Sequence, residues 1–209
     1  NGKPYWCGNT LMYWSQSNTI FKTTLEKFKP ALKNSGYVGY IDINCIANAR
    51  GIYPLEFTTR FGYPTISVQM EGVLSEWGDF LYKIASGLPY DLKTKKGFQI
   101  GVVCVVPPFP FNDKVEIEIY RDLSIIFTKS SLEGVHLGDV KLIDGEWRIA
   151  GNSSYALVIT GSGTTVEDAR KQAYSRVEGI LLQNMFYRTD IGLKWSEDGD
   201  KLYTWGFLY

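Results

Sequence analysis

Two acidic residues and one arginine have the types and spacing for chemistry on an anionic substrate. Asp42 and Glu56 lie in two segments predicted as adjacent strands of one hairpin, so their carboxylates would converge on one face. Two carboxylates without a basic partner nearby suit Mg²⁺, which combines a few carboxylates with phosphate oxygens and water. Arg60 lies just past the second strand, where its guanidinium would clamp phosphate or carboxylate. The residues alone leave a second interpretation open, in which both acidic side chains simply face solvent.

The elements that must position these residues follow from the local sequence pattern. Residues 37–46 are rich in β-branched and aromatic side chains, residues 48–51 supply a turn, and residues 52–57 form a second strand. This order predicts an antiparallel hairpin. A helix is predicted before it over residues 23–33, where Pro30 would kink or shorten the helix.

The later part of the chain is predicted to consist of short strands closed by one helix. A helix over residues 74–84 comes first, and Thr165 is predicted to cap a helix over residues 166–182. The strands between them are predicted at residues 98–106, 115–119, 123–127, 135–143, 146–149 and 155–160. The fold class is therefore α+β, with a domain boundary near residues 88–97.

Composition excludes several classes of protein. The chain has 209 residues with 22 basic and 22 acidic side chains, and zero net charge argues against a general nucleic-acid binder. One histidine excludes a metal site built from several imidazoles, and three widely spaced cysteines favour a reducing compartment. No apolar run reaches the ~18 residues of a membrane span. We therefore predict a cytoplasmic protein without membrane or nucleic-acid partners; the start at Asn1, which is not Met, means that either Met was removed or the chain is a fragment.

Four segments carry a resemblance to a known family. Residues 55–64, LEFTTRFGYP, resemble the final core-strand motif of ATP-grasp ligases. The motif is most similar to that of the phosphoribosylamine–glycine ligase family, Glu-Phe-Asn-x-Arg-Phe-Gly-Asp-Pro. Residues 161–174 and 186–192 resemble the carboxy-terminal domain of the same family, in the same order. Residues 8–10, Gly-Asn-Thr, resemble its Gly-rich stretch before the core helix, so the resemblance covers nearly the whole chain.

The resemblance implies a fold, a set of domains and an activity. Residues 1–90 would be the carboxy-terminal half of an ATP-grasp core, an antiparallel sheet with helices, and residues 91–209 a small, mixed α/β, sheet-rich carboxy-terminal domain. The implied activity is that of an ATP-dependent carboxylate–amine ligase of purine biosynthesis. It joins glycine to phosphoribosylamine through an acyl phosphate. The amino-terminal half of the same enzyme would be the partner, and this chain would not turn over alone.

The resemblance also implies roles for individual residues. Glu56, Asp42 and Thr58 would hold Mg²⁺ or Mn²⁺, with Glu56 and Arg60 contacting the ATP phosphates. Arg60 would be catalytic, because it contacts the phosphate or the acyl phosphate. Arg60 and Gly62 would bind substrate.

Departures from the family pattern keep alternatives open. Thr58 stands where the family has Asn, Tyr63 stands where it has Asp, and residues 151–154, Gly-Asn-Ser-Ser, stand where it has Asn-Gly-Gly-Arg. A hydroxyl is a weaker metal ligand than an amide oxygen, and a basic substrate contact is lost. The alternatives are a diverged ATP-grasp ligase with a different carboxylate or amine and a non-catalytic ATP-grasp-like binding module.

Two other features are interpreted as structural. His136 lies in an apolar segment and is predicted to be a hydrogen-bonded imidazole without a catalytic role. Residues 161–165, Gly-Ser-Gly-Thr-Thr, lack the lysine of a phosphate-binding loop and are predicted to form a strand-to-helix turn.

Overall fold

A computed structural model describes residues 10–209 of the chain, so Gly8 and Asn9 of the family resemblance lie outside the described residues. In order along the chain, the first elements are β1 (Thr10–Tyr13), α1 (Thr19–Thr23), a 3₁₀ helix (Leu25–Phe28), α2 (Lys29–Asn34), β2 (Asp42–Asn48), β3 (Gly51–Thr58), α3 (Thr65–Gly72) and α4 (Trp77–Ala85). They continue with β4 (Phe98–Val105), α5 (Lys114–Ile119), β5 (Ser124–Phe127), β6 (Val135–Leu137), β7 (Val140–Ile143), β8 (Glu146–Ile149), β9 (Tyr155–Gly163), α6 (Val166–Val177), β10 (Ile180–Leu182) and α7 (Trp195–Thr204). Within residues 10–209, no helix is long and apolar enough to cross a lipid bilayer.

These elements form two compact units that interleave along the chain. We call the first the sheet unit; it contains residues 10–13, Tyr63–Gly72 and Lys96–Gly192. The second is the hairpin unit, which contains Trp14–Gly62, Val73–Lys95 and Leu193–Tyr209. A contiguous division into domains 1–90 and 91–209 stays a prediction.

The sheet unit contains two four-stranded antiparallel sheets, with strand orders β1-β4-β9-β6 and β10-β5-β8-β7. Helices cover both faces of the first sheet. At Gly161 of β9 the backbone of α6 comes so close that an added Cβ would lie 2.5 Å from the backbone nitrogen of Ala173. The hydroxyl of the neighbouring Thr160 donates a hydrogen bond to Glu71 of α3. Because adjacent strand residues point to opposite faces, α6 and α3 lie on opposite sides of β9. Burial on both faces explains the nearly continuous apolar run in this strand.

A buried ionic network joins α3, β9 and α6. The Glu71 side chain is 5% exposed and accepts hydrogen bonds from Ser162 Oγ at 2.8 Å and from Thr160 Oγ1 at 2.9 Å. Arg176 donates to Glu71 Oε2 at 3.1 Å and to the Thr160 carbonyl oxygen at 2.7 Å. Its other terminal nitrogen pairs with the exposed Glu133 carboxylate at 2.8 Å. The buried charge of Glu71 is thus fully surrounded by donors.

Replacing Arg176 should destabilise the sheet unit strongly. Arg176→Ala leaves the Glu71 carboxylate buried and unpaired, so the free energy of unfolding should fall by about 3–5 kcal/mol. Urea denaturation measures this loss. Glu133→Ala is the matched control, because its 74%-exposed carboxylate should contribute less than about 1 kcal/mol. Equal losses in the two variants would contradict the assignment.

His136 extends this network from β6. Its Nε2 lies 3.1 Å from Thr160 Oγ1. Thr160 donates its only hydroxyl proton to Glu71, so the imidazole donates to Thr160. The predicted hydrogen bond of His136 is confirmed. Burial lowers the pKa of His136; the nearby Arg176 lowers this pKa further, and Glu71 opposes both.

Stability should therefore depend on pH through His136. The pKa of an unfolded histidine is about 6.5, and the folded pKa lies below it. As the pH falls below about 6.5, the unfolded chain takes up its proton first, so the free energy of unfolding decreases by at most about 1.4 kcal/mol per pH unit. Urea unfolding from about pH 7.5 to 5 should show this slope. His136→Gln should flatten it, because the chain has one histidine; identical slopes would argue against the effect.

In the hairpin unit, aromatic contacts hold the strands. Phe57 of β3 packs edge-to-face on Phe28, with ring centroids 4.7 Å apart. Tyr40, just before β2, stacks on Phe61, just after β3, at 4.6 Å. Phe61 also contacts Trp77 of α4 at 5.9 Å. Aromatic contacts therefore hold the open end of the hairpin, where the candidate site residues lie.

The predicted helix over residues 23–33 is wrong as a single element. Asn18 caps α1 by accepting from the backbone nitrogen of Phe21, and the chain continues through a 3₁₀ helix into α2. Pro30 lies in the first turn of α2. Backbone N–H groups in the first turn make no hydrogen bond within the helix, so a proline there costs none. The first interruption lies at Thr24, before Pro30, so a kinking or shortening effect of Pro30 stays a prediction.

The strand predicted at residues 115–119 is also wrong, because these residues belong to α5. Asp113 accepts hydrogen bonds from the backbone nitrogens of Val115 and Glu116, and this N-cap overrides the alternating pattern. Residues 135–143 divide into β6 and β7, which belong to different sheets. The helix capped by Thr165 ends at Val177, and β10 follows. α3 and α7 were not predicted.

Candidate functional site

The register of β2 and β3 brings four polar residues together. Asp42 lies opposite Thr58, and Asn44 lies opposite Glu56. Directly opposed residues share a face of the sheet, as do residues two apart on one strand. Asp42, Asn44, Glu56 and Thr58 therefore form one surface, which we call the polar face. The prediction that the Asp42 and Glu56 side chains share a face is confirmed.

Apolar residues occupy the other face of the same hairpin segment. Ile43 lies opposite Phe57, and the Phe57 ring packs on Phe28. Alternation of polar and apolar residues over 42–44 and 56–58 therefore directs the polar side chains away from this packing. The register shifts only after Asn44, so the polar face keeps regular pairing.

The hydrogen bonds of the two carboxylates leave oxygen atoms for a cation. Asp42 Oδ2 accepts from the Tyr40 hydroxyl at 3.2 Å, whereas Asp42 Oδ1 is buried and has no hydrogen-bond partner among residues 10–209. Glu56 Oε1 accepts from Asn44 Nδ2 at 3.2 Å. A buried carboxylate oxygen without a partner is unfavourable, and a cation bound beside it would remove that penalty.

The donor set of the polar face fits a hard divalent cation. It offers two carboxylates, one amide and one hydroxyl, and oxygen donors are the ligands that Mg²⁺ and Mn²⁺ prefer. In the part of the chain that the structure describes, no group of three or more His, Cys, Asp or Glu side chains is arranged to hold a metal. The hairpin therefore supplies at most two charged ligands to a cation, and water and phosphate oxygens suit the remaining coordination positions of that cation.

Arg60 and Gly62 follow the polar face along the chain. The exposed Arg60 guanidinium donates to the carbonyl oxygen of Phe61 at 3.0 Å and has no acidic partner within residues 10–209. Its remaining donors are available to an anion. The stack of Tyr40 on Phe61 connects the two ends of the site, since the Tyr40 hydroxyl contacts Asp42 and the Phe61 backbone holds Arg60. Gly62 is half-buried in the loop before α3.

Sequence reasoning missed Asn44 as a member of this site. The signal was present, because Asp-Ile-Asn at residues 42–44 alternates in the same way as Glu-Phe-Thr at residues 56–58. Placing Asn44 opposite Glu56 requires the exact strand register, which the sequence pattern does not give.

The sheet unit contains the segment that matches a known family. Residues 99–194 match the family model described as phosphoribosylglycinamide synthetase, C domain. This segment is similar to that domain family. It includes β9, α6 and nearly all of β4, and the network around Glu71 contacts it from α3.

Curated relatives agree with this match. A phosphoribosylamine–glycine ligase of Mycobacterium bovis is 28% identical over 169 residues, which cover 79% of this chain and 38% of the relative. The enzyme of the same name from Streptococcus pneumoniae is 25% identical over 178 residues, covering 85% of this chain and 40% of the relative. The chain therefore spans about two fifths of the length of these relatives. The predicted resemblance to this ligase family is confirmed.

Solved structures agree with the fold. Phosphoribosylamine–glycine ligase from Thermotoga maritima superposes with a TM-score of 0.67 at 19% identity, covering 88% of this chain and 46% of that one. Biotin carboxylase from Campylobacter jejuni superposes with a TM-score of 0.55 at 14% identity, covering 90% and 42%. The predicted α+β fold class, helices with antiparallel sheets, is confirmed, and both solved structures share this fold over most of the chain.

Thr58→Asn should strengthen the binding of a divalent cation at the polar face. An amide oxygen beside Glu56 is a better ligand than the Thr58 hydroxyl, and such changes typically alter metal affinity about 10-fold or more. Titration of free Mn²⁺ by electron paramagnetic resonance, with Mg²⁺ as competitor, measures the affinity. Thr59→Asn, outside the polar face, should leave it unchanged; equal affinities for all three proteins would place Thr58 away from the cation.

Proposed function

We propose that this chain is the carboxy-terminal part of a cytoplasmic ATP-dependent carboxylate–amine ligase that joins glycine to phosphoribosylamine in purine biosynthesis. The observation that supports this most directly is the polar face with Arg60 at its end, in a chain whose relatives are phosphoribosylamine–glycine ligases. Because the chain spans 38% of the Mycobacterium relative, the proposal includes an amino-terminal half that supplies the rest of the ATP site.

The proposed reaction has two steps. A glycine carboxylate oxygen attacks the γ-phosphorus of ATP, ADP leaves, and glycyl phosphate forms. The amine nitrogen of phosphoribosylamine then attacks the carbonyl carbon, and inorganic phosphate leaves as the amide bond forms. Neither step needs a protein nucleophile, so catalysis is mainly positioning and electrostatic stabilisation.

The hairpin residues have separate roles in this proposal. Asp42, Glu56 and Thr58 would hold Mg²⁺ or Mn²⁺, which neutralises charge on the transferred phosphoryl group when bound. Arg60 would bind the phosphoryl oxygens through its guanidinium fork and stabilise the charge that develops on them. Gly62 would let the backbone approach the substrate.

The proposal is tested by assaying the complete protein for ADP formation. Sustained ADP formation over many turnovers should require ATP, Mg²⁺, glycine and phosphoribosylamine together, because without the amine the reaction stops at glycyl phosphate. ADP formation with a different carboxylate or amine would support the diverged ligase, and no ADP formation with any pair of a broad panel would support the non-catalytic binding module.

Arg60→Lys should separate catalysis from stability. Lysine keeps the charge but loses the bidentate fork, so kcat should fall by about 100-fold. The free energy of unfolding should change by less than about 0.5 kcal/mol, because Arg60 is exposed. Arg50→Lys, in the exposed hairpin turn, is the control and should keep full activity. An unchanged kcat in Arg60→Lys would remove this residue from the catalytic site.

One observation in the sheet unit favours the second candidate, a ligase with a different amine. An open cleft of about 370 Å³ is lined by Tyr63, Gly138, Asp139, Ser153 and Tyr155. Among residues 10–209, no lysine or arginine lines this cleft, so these residues do not supply the cation that a phosphorylated sugar favours. An amine substrate without a phosphate group fits this cleft better.

A further inference from the structure

Asn44 makes a contact with Glu56 that burial does not require. Both side chains are exposed, so water would satisfy them equally well. They nevertheless lie directly opposite each other in the register, and Asn44 Nδ2 lies 3.2 Å from Glu56 Oε1. An ionised glutamate only accepts hydrogen bonds, so the Asn44 amide must present its NH₂ group to it.

The residue type at position 44 suits a carboxylate that binds a cation. A lysine or arginine opposite Glu56 would pair with it and repel a divalent ion, whereas a second acid would repel Glu56 itself. A serine would be too short to span the two strands. The neutral amide restricts the Glu56 side chain and leaves its negative charge uncompensated. The Asn44 amide contacts only Oε1 of Glu56. Glu56 Oε2 has no hydrogen bond within the described part of the chain.

We propose that Asn44 is a positioning residue of the polar face, which holds Glu56 so that the free carboxylate oxygen is presented to a divalent cation together with Asp42. Flexible side chains lose rotamer freedom when they bind, and a carboxylate that is already held loses less of it. Partners of this kind typically change metal affinity by about 10- to 100-fold. The inference rests on the proposed function, because it assigns Asn44 a role in the cation site of that function.

Binding of Mn²⁺ alone to this chain tests the inference directly. Electron paramagnetic resonance of free Mn²⁺ should show about 10-fold weaker binding for Asn44→Ala than for the wild type. Asn44→Gln keeps the amide and should recover part of the affinity. Asn34→Ala is the matched control, because this exposed asparagine lies at the end of α2, outside the polar face. Urea denaturation should show that all variants remain folded.

Magnesium dependence in the complete protein distinguishes positioning from a general structural defect. For Asn44→Ala, the Mg²⁺ concentration at half-maximal ADP formation should rise about 10-fold, and kcat at saturating Mg²⁺ should return to the wild-type value. A kcat that stays low at saturating Mg²⁺ would overturn the positioning role.

The Mn²⁺ titration also separates the inference from the proposed function. One outcome is that Glu56→Gln weakens Mn²⁺ binding while Asn44→Ala and Asn34→Ala bind Mn²⁺ as the wild type does. In that case Asn44 has no positioning role, and the cation site of the proposed function is supported. If Glu56→Gln binds Mn²⁺ as the wild type does, the cation site of the proposed function is wrong, and the inference fails with it.

Discussion

The cross-strand register of β2 and β3 is the constraint on which the candidate site depends. Side chains alternate with a period of two, so a slip of one residue would move an entire set of side chains to the other face. With the observed pairing, Asp42 and Glu56 share a face while Phe57 packs on Phe28. The contact of Phe57 therefore fixes the direction of the acidic residues without touching them.

Features that depend on short stretches of sequence were predictable. The hairpin of β2 and β3, the N-cap at Thr165 and the hydrogen-bonded His136 all follow from local residue types. The resemblance carried by residues 55–64 and 161–174 located the ligase family. The roles of Asp42, Glu56, Thr58, Arg60 and Gly62 rest on that resemblance and stay predictions; the structure adds their positions.

Features that depend on tertiary context or on competition between signals were not predictable. Residues 115–119 alternate as a strand does, yet the Asp113 carboxylate satisfies the first helical N–H groups and the helix forms. The alternation of residues 42–44 indicates the face on which Asn44 lies, but its contact with Glu56 depends on the strand register, which the sequence does not give. Glu71 is similar, since a glutamate on a helix is ordinarily exposed, and its burial depends on the partners that β9 and α6 supply.

The position of Glu71 has a consequence for the order of folding. Its partner Thr160 is 89 residues later in the chain, so at about 5–20 residues per second the ribosome delivers it roughly 5–20 s after α3. Until then the Glu71 carboxylate lacks its partners on β9, and α3 can cover only β1 and β4 of the sheet. The sheet unit therefore closes late during synthesis, by a long-range contact of the kind that slows folding. Cooperative closure at that stage buries the charge and its donors together.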